Sequence, residues 1–391
     1  MKLLVVGDIG IVFTYEFILH VASKLPDVHV DVLNFSPRTP KHVEREKELS
    51  RIGCAIFYQP KYARLRSHKF LHPLMRLGEA IRYRVCKGYD VVHLHYLGVD
   101  SWIIPHYTKK GKRVIASIYG SDLLRAGKAM QPALKKVFVR ADTITVASRY
   151  VQNALSERFQ KAFDSKVALV RYGSEAATYM HQNLDKFARE DCKRGNGLPL
   201  DKTIVLCGYN GSPAQRHLEM IRQFKALPAA YKNRLYLLFQ CSYGSSEGHL
   251  RAIGKELDTC GIDGRIVTQY MRGEDLAKFR NSVDVLLNLQ PTDVLSATMI
   301  EELEAGAIVV KGDWLVYPDL DERGIYMLSI RQMEELPQII QYILDNAAAC
   351  QAKAKNNRGI WKILSWQEEY PKWESVIVDQ CDHQESGNRK K

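Results

Sequence analysis

Residues 283–310, VDVLLNLQPTDVLSATMIEELEAGAIVV, hold a set of groups able to bind an anion and a polyol side by side. A buried strand runs into a turn at Pro291-Thr292-Asp293, and a helix starts near Ser296, Ala297 and Thr298. Backbone N–H groups at that start, with two hydroxyls, suit a diphosphate. One or two turns further on, Glu301 would accept hydrogen bonds from a ribose diol beside it. The plainer alternative makes Ser296 and Thr298 helix caps, with Glu301 completing a capping box with Thr298. A second loop, Gly208-Tyr209-Asn210-Gly211-Ser212-Pro213-Ala214-Gln215-Arg216-His217, follows an apolar run. Gly, Asn and Pro let it turn sharply, and Arg216 opens the next helix, placed either to grip a phosphate bidentately or to lie in solvent. The first loop, Gly7-Asp8-Ile9-Gly10, is not G-x-G-x-x-G, and no acidic residue closes a second strand, which disfavours a nicotinamide cofactor. Its Gly10 either lets the backbone approach a ligand or makes a tight turn.

Loops of this kind need strands and helices to hold them. Short apolar runs at 2–6, 30–34, 90–95, 112–118, 143–147 and 166–170 read as buried strands, with helices at 13–24, 130–140 and 149–159 between them. A second series has strands at 203–207, 235–239, 266–269, 283–288 and 307–311, and helices at 216–226, 246–258, 272–280 and 298–305. This alternation predicts an α/β chain of two doubly wound, Rossmann-like domains facing across a cleft, with ligands outside the carboxyl ends of the strands. The expected boundaries are a domain at 1–175, a polar linker at 176–200, a second domain at 201–350, a helical segment at 351–380 crossing back to the first domain, and a flexible tail at 381–391.

Composition removes several classes. No apolar run approaches the ~20 residues a spanning helix needs, and Leu3-Leu4-Val5-Val6, ending at Gly7-Asp8, reads as a strand rather than a signal peptide. The eight cysteines are scattered, without a C-x-x-C pair or a histidine at zinc spacing, so reduced thiols, a cytoplasmic setting and no metal are expected. The net charge of +12 is uneven: residues 1–175 hold 29 Lys+Arg against 15 Asp+Glu, and residues 176–391 hold 27 against 29. The densest part is 61–87, where eight basic residues face one acid, Glu79, among Tyr62, Phe70, Leu71, Leu74, Met75, Leu77 and Tyr83. That mixture suits an anionic membrane surface or, more simply, a solvated helix face.

In order and over most of the chain, these loops resemble the retaining GT-B glycosyltransferases of family 4. Asp90-Val91-Val92-His93-Leu94-His95 is similar to that family's D-V-V-H-x-H strand, and Ser117-Ile118-Tyr119-Gly120-Ser121-Asp122 to its T-x-H-G-x-D segment. Ala141-Asp142 with Ser148 matches A-D-x-I-x-x-x-S, and residues 171–175 fall where an interdomain N-G-V-D turn is usual. Asp293 and Glu301 match the E-x7-E pair, and Gly306 its following glycine. The departures are Asp for the first Glu at 293, Ser296 for a phosphate-touching glycine, Tyr119 for a sugar-contacting His, and Gly208-Tyr209 with Arg216 for a G-R…K pair. Residues 208–217 and Gln240-Cys241-Ser242-Tyr243-Gly244 are similar to the N-acetylfucosaminyltransferases of enterobacterial common antigen synthesis.

The resemblance implies sugar transfer from a nucleoside diphosphate sugar, a co-substrate rather than a cofactor, to a glycan or lipid-linked acceptor in bacterial surface polysaccharide synthesis. It also implies retention and no metal, in the cytoplasm or peripherally at the inner membrane face. Arg216 and the amides around Ser296, Ala297 and Thr298 would stabilise the departing diphosphate. Glu301 would hold the ribose, Asp293 the sugar hydroxyls, and Tyr270 and Met271 the base, with Gly10, Gly208, Tyr209 and Asn210 also at the donor. His95, Tyr119 and Asp122 would orient donor sugar or acceptor, although a strand-end histidine is commonly a packed residue and Asp122 has a rival role as a turn cap. An inverting enzyme would instead use Asp122 or Asp8 as general base. The competing classes are a nucleotide-sugar epimerase, a phosphorylase, a silent sugar-nucleotide sensor and a basic nucleic-acid-binding protein. The last lacks any recognised nucleic-acid-binding signature, so no nucleic acid partner is expected.

Overall fold

The computed structural model describes residues 1–34, 36, 38–58, 88–98 and 112–379. These form two compact units, one from Met1–Gly173 with the segment from Trp366 onward, the other from Ser174–Ser365. The basic stretch 61–87 and the tail 381–391 lie outside the described residues.

The first unit is built on seven strands: β1 (Lys2–Gly7), β2 (His29–Asn34), β3 (Ala55–Tyr58), β4 (Val91–His95), β5 (Arg113–Ile118), β6 (Thr143–Val146) and β7 (Val167–Leu169). They lie in the order β3-β2-β1-β4-β5-β6-β7, all parallel. β1, β4 and β5 are almost continuous runs of buried residues, as a parallel sheet covered on both faces requires. Strand order reverses between β1 and β4, where Leu3 pairs with Val91, so the loops after these strands part there and leave a crevice. Two elements were not apparent in the sequence, β3 and the helix Pro40–Arg51. β3 is only half-buried, and the helix is so rich in charge that its apolar stripe reduces to Val43 and Leu49.

The C-terminal segment completes this unit. Trp373 packs with its ring centroid 4.9 Å from Phe17, 5.4 Å from His93 and 5.3 Å from Tyr172, while its Nε1 donates to the Arg171 carbonyl at 2.8 Å. Arg113 donates to the carbonyls of Val376 and Ile377, and Glu369 accepts the Arg171 backbone N–H at 2.8 Å. Gly173 is held so close to the indole of Trp366 that a Cβ would lie 2.4 Å from its Cγ. The sequence reading treated 351–380 as one helical segment, whereas only the part from Trp366 belongs to the first unit. The helix Ala347–Lys355 and the turn Ile360–Leu364 belong to the second.

The second unit has β8 (Thr203–Cys207), β9 (Leu235–Gln240), β10 (Asp263–Val267), β11 (Val285–Asn288), β12 (Ile308–Gly312) and β13 (Leu328–Ile330), parallel throughout in the order β10-β9-β8-β11-β12-β13. Its reversal falls between β8 and β11. Residues 176–200 were expected to be a polar linker but carry most of the helix Glu175–Asn183 and all of Arg189–Gly195, which pack into this unit. Arg189 and Lys193 pair with Asp284 at 3.0 and 2.7 Å, and His181 Nδ1 lies 2.8 Å from Glu304 Oε1. Composition alone made this stretch look solvated.

Trp373 is 0% exposed, and Trp373→Ala is expected to cost about 3–5 kcal/mol. Urea denaturation followed by circular dichroism checks this. The loss should fall on one of two transitions, because the cavity opens in the first unit alone.

Candidate functional site

At the reversal in the second unit, the loops after β8 and β11 are tied by side chains. Gly208 turns the chain with φ +71, and the next amide, Tyr209 N–H, donates to Gln215 Oε1 at 3.2 Å. Gln215 Nε2 donates to Gln290 Oε1 at 3.1 Å, Gln290 Nε2 donates to Tyr209 Oη at 2.5 Å, and Tyr209 Oη donates to Asp293 Oδ1 at 3.3 Å. Asp293 also accepts from the Val294 amide at 2.9 Å, and from Asn288 Nδ2 and Tyr317 Oη at 2.8 Å each. Burial, and then the Asp293 charge, pushes the Tyr209 and Tyr317 hydroxyls well up, so both remain protonated donors. Asp293 therefore has its acceptor positions filled, and the expected contact with sugar hydroxyls would require it to release a tyrosine.

The helix Ala297–Glu304 begins here, its N-cap Ser296 accepting the Met299 amide at 3.1 Å. The capping box suggested for Thr298 and Glu301 does not form, because both turn to Arg280 instead. Glu301, 4% exposed, accepts from Arg280 Nε at 2.9 Å and from Ser174 Oγ at 3.3 Å. Arg280, 2% exposed, also donates Nη1 to Gln240 at 2.8 Å and to Glu302 at 3.3 Å, and Nη2 to Thr298 Oγ1 at 3.1 Å. Sequence reading missed Arg280. Its signal was a lone charge on the buried face of the helix Gly273–Asn281, one turn after Leu276 and Ala277, where an arginine needs partners. Burial pushes the Glu302 carboxyl up to about 8, with Glu301 adding to the effect and Arg280 opposing it.

The remaining residues expected at the donor are more loosely placed. Arg216 adopts a left-handed backbone, φ 62 and ψ 31, and pairs through Nε with Glu219 at 2.8 Å while lying 5.6 Å over the Trp314 ring. It was expected to face a ligand and is already engaged. Asn210 accepts the Ser212 amide at 2.9 Å, Tyr270 is 51% exposed, and Met271 packs against the core beneath the helix Ala297–Glu304.

Gly10, Asp122, His95 and Tyr119 belong to the first unit. Asp122 accepts the amides of Leu97 at 3.0 Å, Tyr119 at 3.0 Å and Gly120 at 2.8 Å, so it pins the loops after β4 and β5. Burial raises its carboxyl and these amides oppose the rise. His95 is a packed residue. Its Nδ1 lies 2.7 Å from Tyr119 Oη and its Nε2 3.2 Å from His93 Nδ1, while His93 Nε2 meets Ser117 Oγ at 2.6 Å. Burial pulls His95 down to about 3, so the imidazole is neutral. Tyr119 Oη also meets Thr14 Oγ1 at 2.9 Å, and burial pushes its hydroxyl well up. Beside Gly10, whose Cβ would lie 2.7 Å from the His42 ring, Asp8 Oδ1 is 2.8 Å from His42 Nε2, and His42 Nδ1 is 2.7 Å from Thr39 Oγ1. His42 lies on a helix absent from the sequence reading. Among the described residues no group of three or more His, Cys, Asp or Glu is placed to hold a metal ion, and no helix is long and apolar enough to cross a membrane.

Glu302 gives a measurable pH dependence. Between its ordinary 4.5 and about 8, the folded state holds a proton that the unfolded chain releases, so stability falls as pH rises through that window. Glu302→Gln keeps the neutral form and should raise Tm at pH 8 more than at pH 5, each kcal/mol being worth about 2–4 °C. Melting curves at both values test it, and an unchanged pH slope would mean that Glu302 is ionised when folded.

Residues 16–173 match the family model described as Glycosyltransferase Family 4. No curated protein matches the sequence significantly. Among solved structures, Anabaena HepE in complex with UDP and glucose superposes with a TM-score of 0.71 at 12% identity, over 97% of this chain and 100% of that one. Sucrose-phosphate synthase from Thermosynechococcus elongatus gives 0.72 at 14% identity, over 98% and 100%. A glycosyltransferase from Rickettsia africae gives 0.70 at 14%, over 96% and 97%. With two parallel sheets reversing at β1/β4 and β8/β11, the chain has the fold of the GT-B glycosyltransferases, and its first unit carries the Glycosyltransferase Family 4 match.

Proposed function

We propose that the protein transfers a sugar from a nucleoside diphosphate sugar to a glycan or lipid-linked acceptor, as in bacterial surface polysaccharide synthesis, with the donor held by the second unit. The observation that carries this reading is the set of groups at the β8/β11 reversal. A Ser296-capped helix start offers amides to a diphosphate, and one turn in, Glu301 is held by Arg280 with lone pairs left over for a ribose diol. When the sugar–phosphate bond breaks, its electron pair passes to the diphosphate. The helix amides and Arg216, released from Glu219, meet that charge without requiring a metal. Asp293 acts through Tyr209 and Tyr317, fixing the wall of the donor pocket, and Tyr270 and Met271 lie near the base.

Retention is the reading the family likeness favours. A specific observation supports inversion as the second: Asp8, which carries His42 and the Gly10 amide on Oδ1 and Ser36 on Oδ2, keeps its side chain 26% exposed at the end of β1, whereas Asp122 is buried against three backbone amides. Proton NMR of the product decides by its anomeric coupling. Preserved donor configuration supports retention, and reversal supports inversion with Asp8 as the first candidate base. The charge of residues 61–87 supports an acceptor at an anionic membrane surface.

A thermal-shift panel of UDP-, GDP-, dTDP- and CMP-sugars should identify a stabilising donor. With that donor, Glu301→Ala should raise KM about ten- to a hundredfold, the worth of hydrogen bonds to a charged group. Unchanged KM would remove Glu301 from the ribose role, and absence of any stabilising nucleotide sugar would sink the reading. Neutralising Arg64, Arg66 and Lys69 should abolish binding to anionic liposomes, and failure of the wild type to bind would end the membrane proposal.

A further inference from the structure

The helix Pro40–Arg51, between β2 and β3 in the chain, carries a cavity of about 390 Å3 on its solvent-exposed face. Arg38, Val43, Glu46, Lys47, Ser50 and Arg51 line it. Small-molecule sites span about 300–1,000 Å3, and this volume falls within that range. Positions 43, 47, 50 and 51 are three or four residues apart or adjacent, which puts their side chains on one stripe of the helix. The opposite stripe is anchored. His42 Nε2 lies 2.8 Å from Asp8 Oδ1, Arg45 Nη1 donates to the Ile9 carbonyl at 2.6 Å, and Leu49 is buried. The cavity wall is therefore held in place before any ligand arrives.

The acids of this helix are engaged elsewhere. Glu46 Oε2 accepts from Arg38 Nε at 2.9 Å, with Arg38 Nη2 at 2.8 Å and Tyr58 Oη at 3.5 Å. Glu48 accepts the Tyr15 hydroxyl, and the Glu44 charge acts on Lys41. The side chains of Lys47, Ser50 and Arg51 have no hydrogen-bond or ion-pair partner among the described residues. The helix C-terminus, with its partial negative charge, accounts for a cation at Arg51. It does not account for Lys47, and two cations four residues apart on one stripe repel each other. An ammonium, a guanidinium and a hydroxyl, facing a cavity whose one carboxylate is already bonded, make the donor set of an oxyanion site.

We propose that this cavity binds a phosphate group, with Lys47 and Arg51 gripping its oxygens and the Ser50 hydroxyl donating a third hydrogen bond. Arg38, held on Glu46, forms the far wall, and Val43 lies against whatever carries the phosphate. The ligand is a phosphate ester, carried by a small soluble molecule or by a lipid headgroup. The site faces away from the loop after β1, toward which the same helix turns His42 and Arg45. It is thus separate from the groups proposed for transfer, and it stands whether or not the chain is a transferase.

The full-length protein is titrated with glycerol 3-phosphate by calorimetry at low salt, where exposed charges are least screened. The wild type should bind it saturably, and Lys47→Gln with Arg51→Gln should weaken binding about tenfold. A control of equal charge loss, Lys135→Gln with Lys136→Gln on the helix Gln131–Arg140, should leave the affinity unchanged. All four side chains are exposed, so both double variants should melt with the wild type. No saturable binding by the wild type, unchanged affinity of the cavity variant, or an equal loss in the control overturns the proposal. Vesicles of phosphatidylglycerol identify the source. If the cavity variant binds them more weakly than the control does, the phosphate belongs to a lipid headgroup. Loss confined to glycerol 3-phosphate assigns a soluble ligand.

Discussion

A parallel sheet delivers the carboxyl ends of all its strands to one edge, and where strand order reverses, two loops leave in opposite directions. That constraint decides where chemistry can sit in both units. In the second, β8 and β11 are hydrogen-bonded neighbours, so residues some 80 positions apart become adjacent once their strands end, as in the Tyr209–Asp293 and Gln215–Gln290 contacts. In the first, the same reversal brings the loop after β1 beside that after β4. The glycines at these loops are backbone solutions to that geometry: Gly208 takes a left-handed turn, and Gly10 leaves room for the His42 ring.

Both units bury polar and charged groups. In the first, Arg171 pairs with Glu369, and His93 and His95, between Ser117 and Tyr119, form a hydrogen-bonded row in which each ring shares its one proton with a neighbour. Burial holds both imidazoles down, which spares the core an unpaired charge. The second unit buries a true charge, Arg280, and must therefore surround it. Glu301, Glu302, Gln240 and Thr298 all converge on one guanidinium, and since one cation cannot offset two carboxylates, burial raises Glu302. Arg280 orients the Glu301 carboxylate through its Nε. A buried ion pair of this sort is weak as a source of stability, so its use here is to fix one carboxylate's direction next to a helix start.

The layered architecture was legible because parallel strands covered on both sides must be apolar runs, and runs such as LLVV, VVHLH and VLLN stand out in any reading. β3 and the helix Pro40–Arg51 were hidden because edge elements bury one narrow stripe, and the stretch 176–200 was hidden because paired charges look the same in sequence as solvated ones. Within the site, the positions of Ser296 and Glu301 followed from helix-start chemistry. Their partners did not, since Arg280 and Ser174 come from elements that only tertiary packing brings near. Asp293 shows the limit most clearly: spacing located it, but its saturation by two tyrosines and an asparagine depends on three other elements.

Arg216 shows how a residue engaged in this structure can still serve an anion. Its left-handed backbone costs roughly 1–2 kcal/mol for a side chain with a Cβ. The turn is retained because it ends the short Pro213–Gln215 helix and sends the next residue, His217, into the core. The Glu219 partner lies three residues on and is nearly half-exposed, so the pair is worth at most about 1 kcal/mol. A diphosphate offers more charge and fork-shaped acceptors for the same guanidinium. Exchange of one carboxylate for a phosphate is thus electrostatically downhill, and the Trp314 face keeps the planar group in place while it happens. The partly exposed Glu219 is thus a partner that a diphosphate can replace.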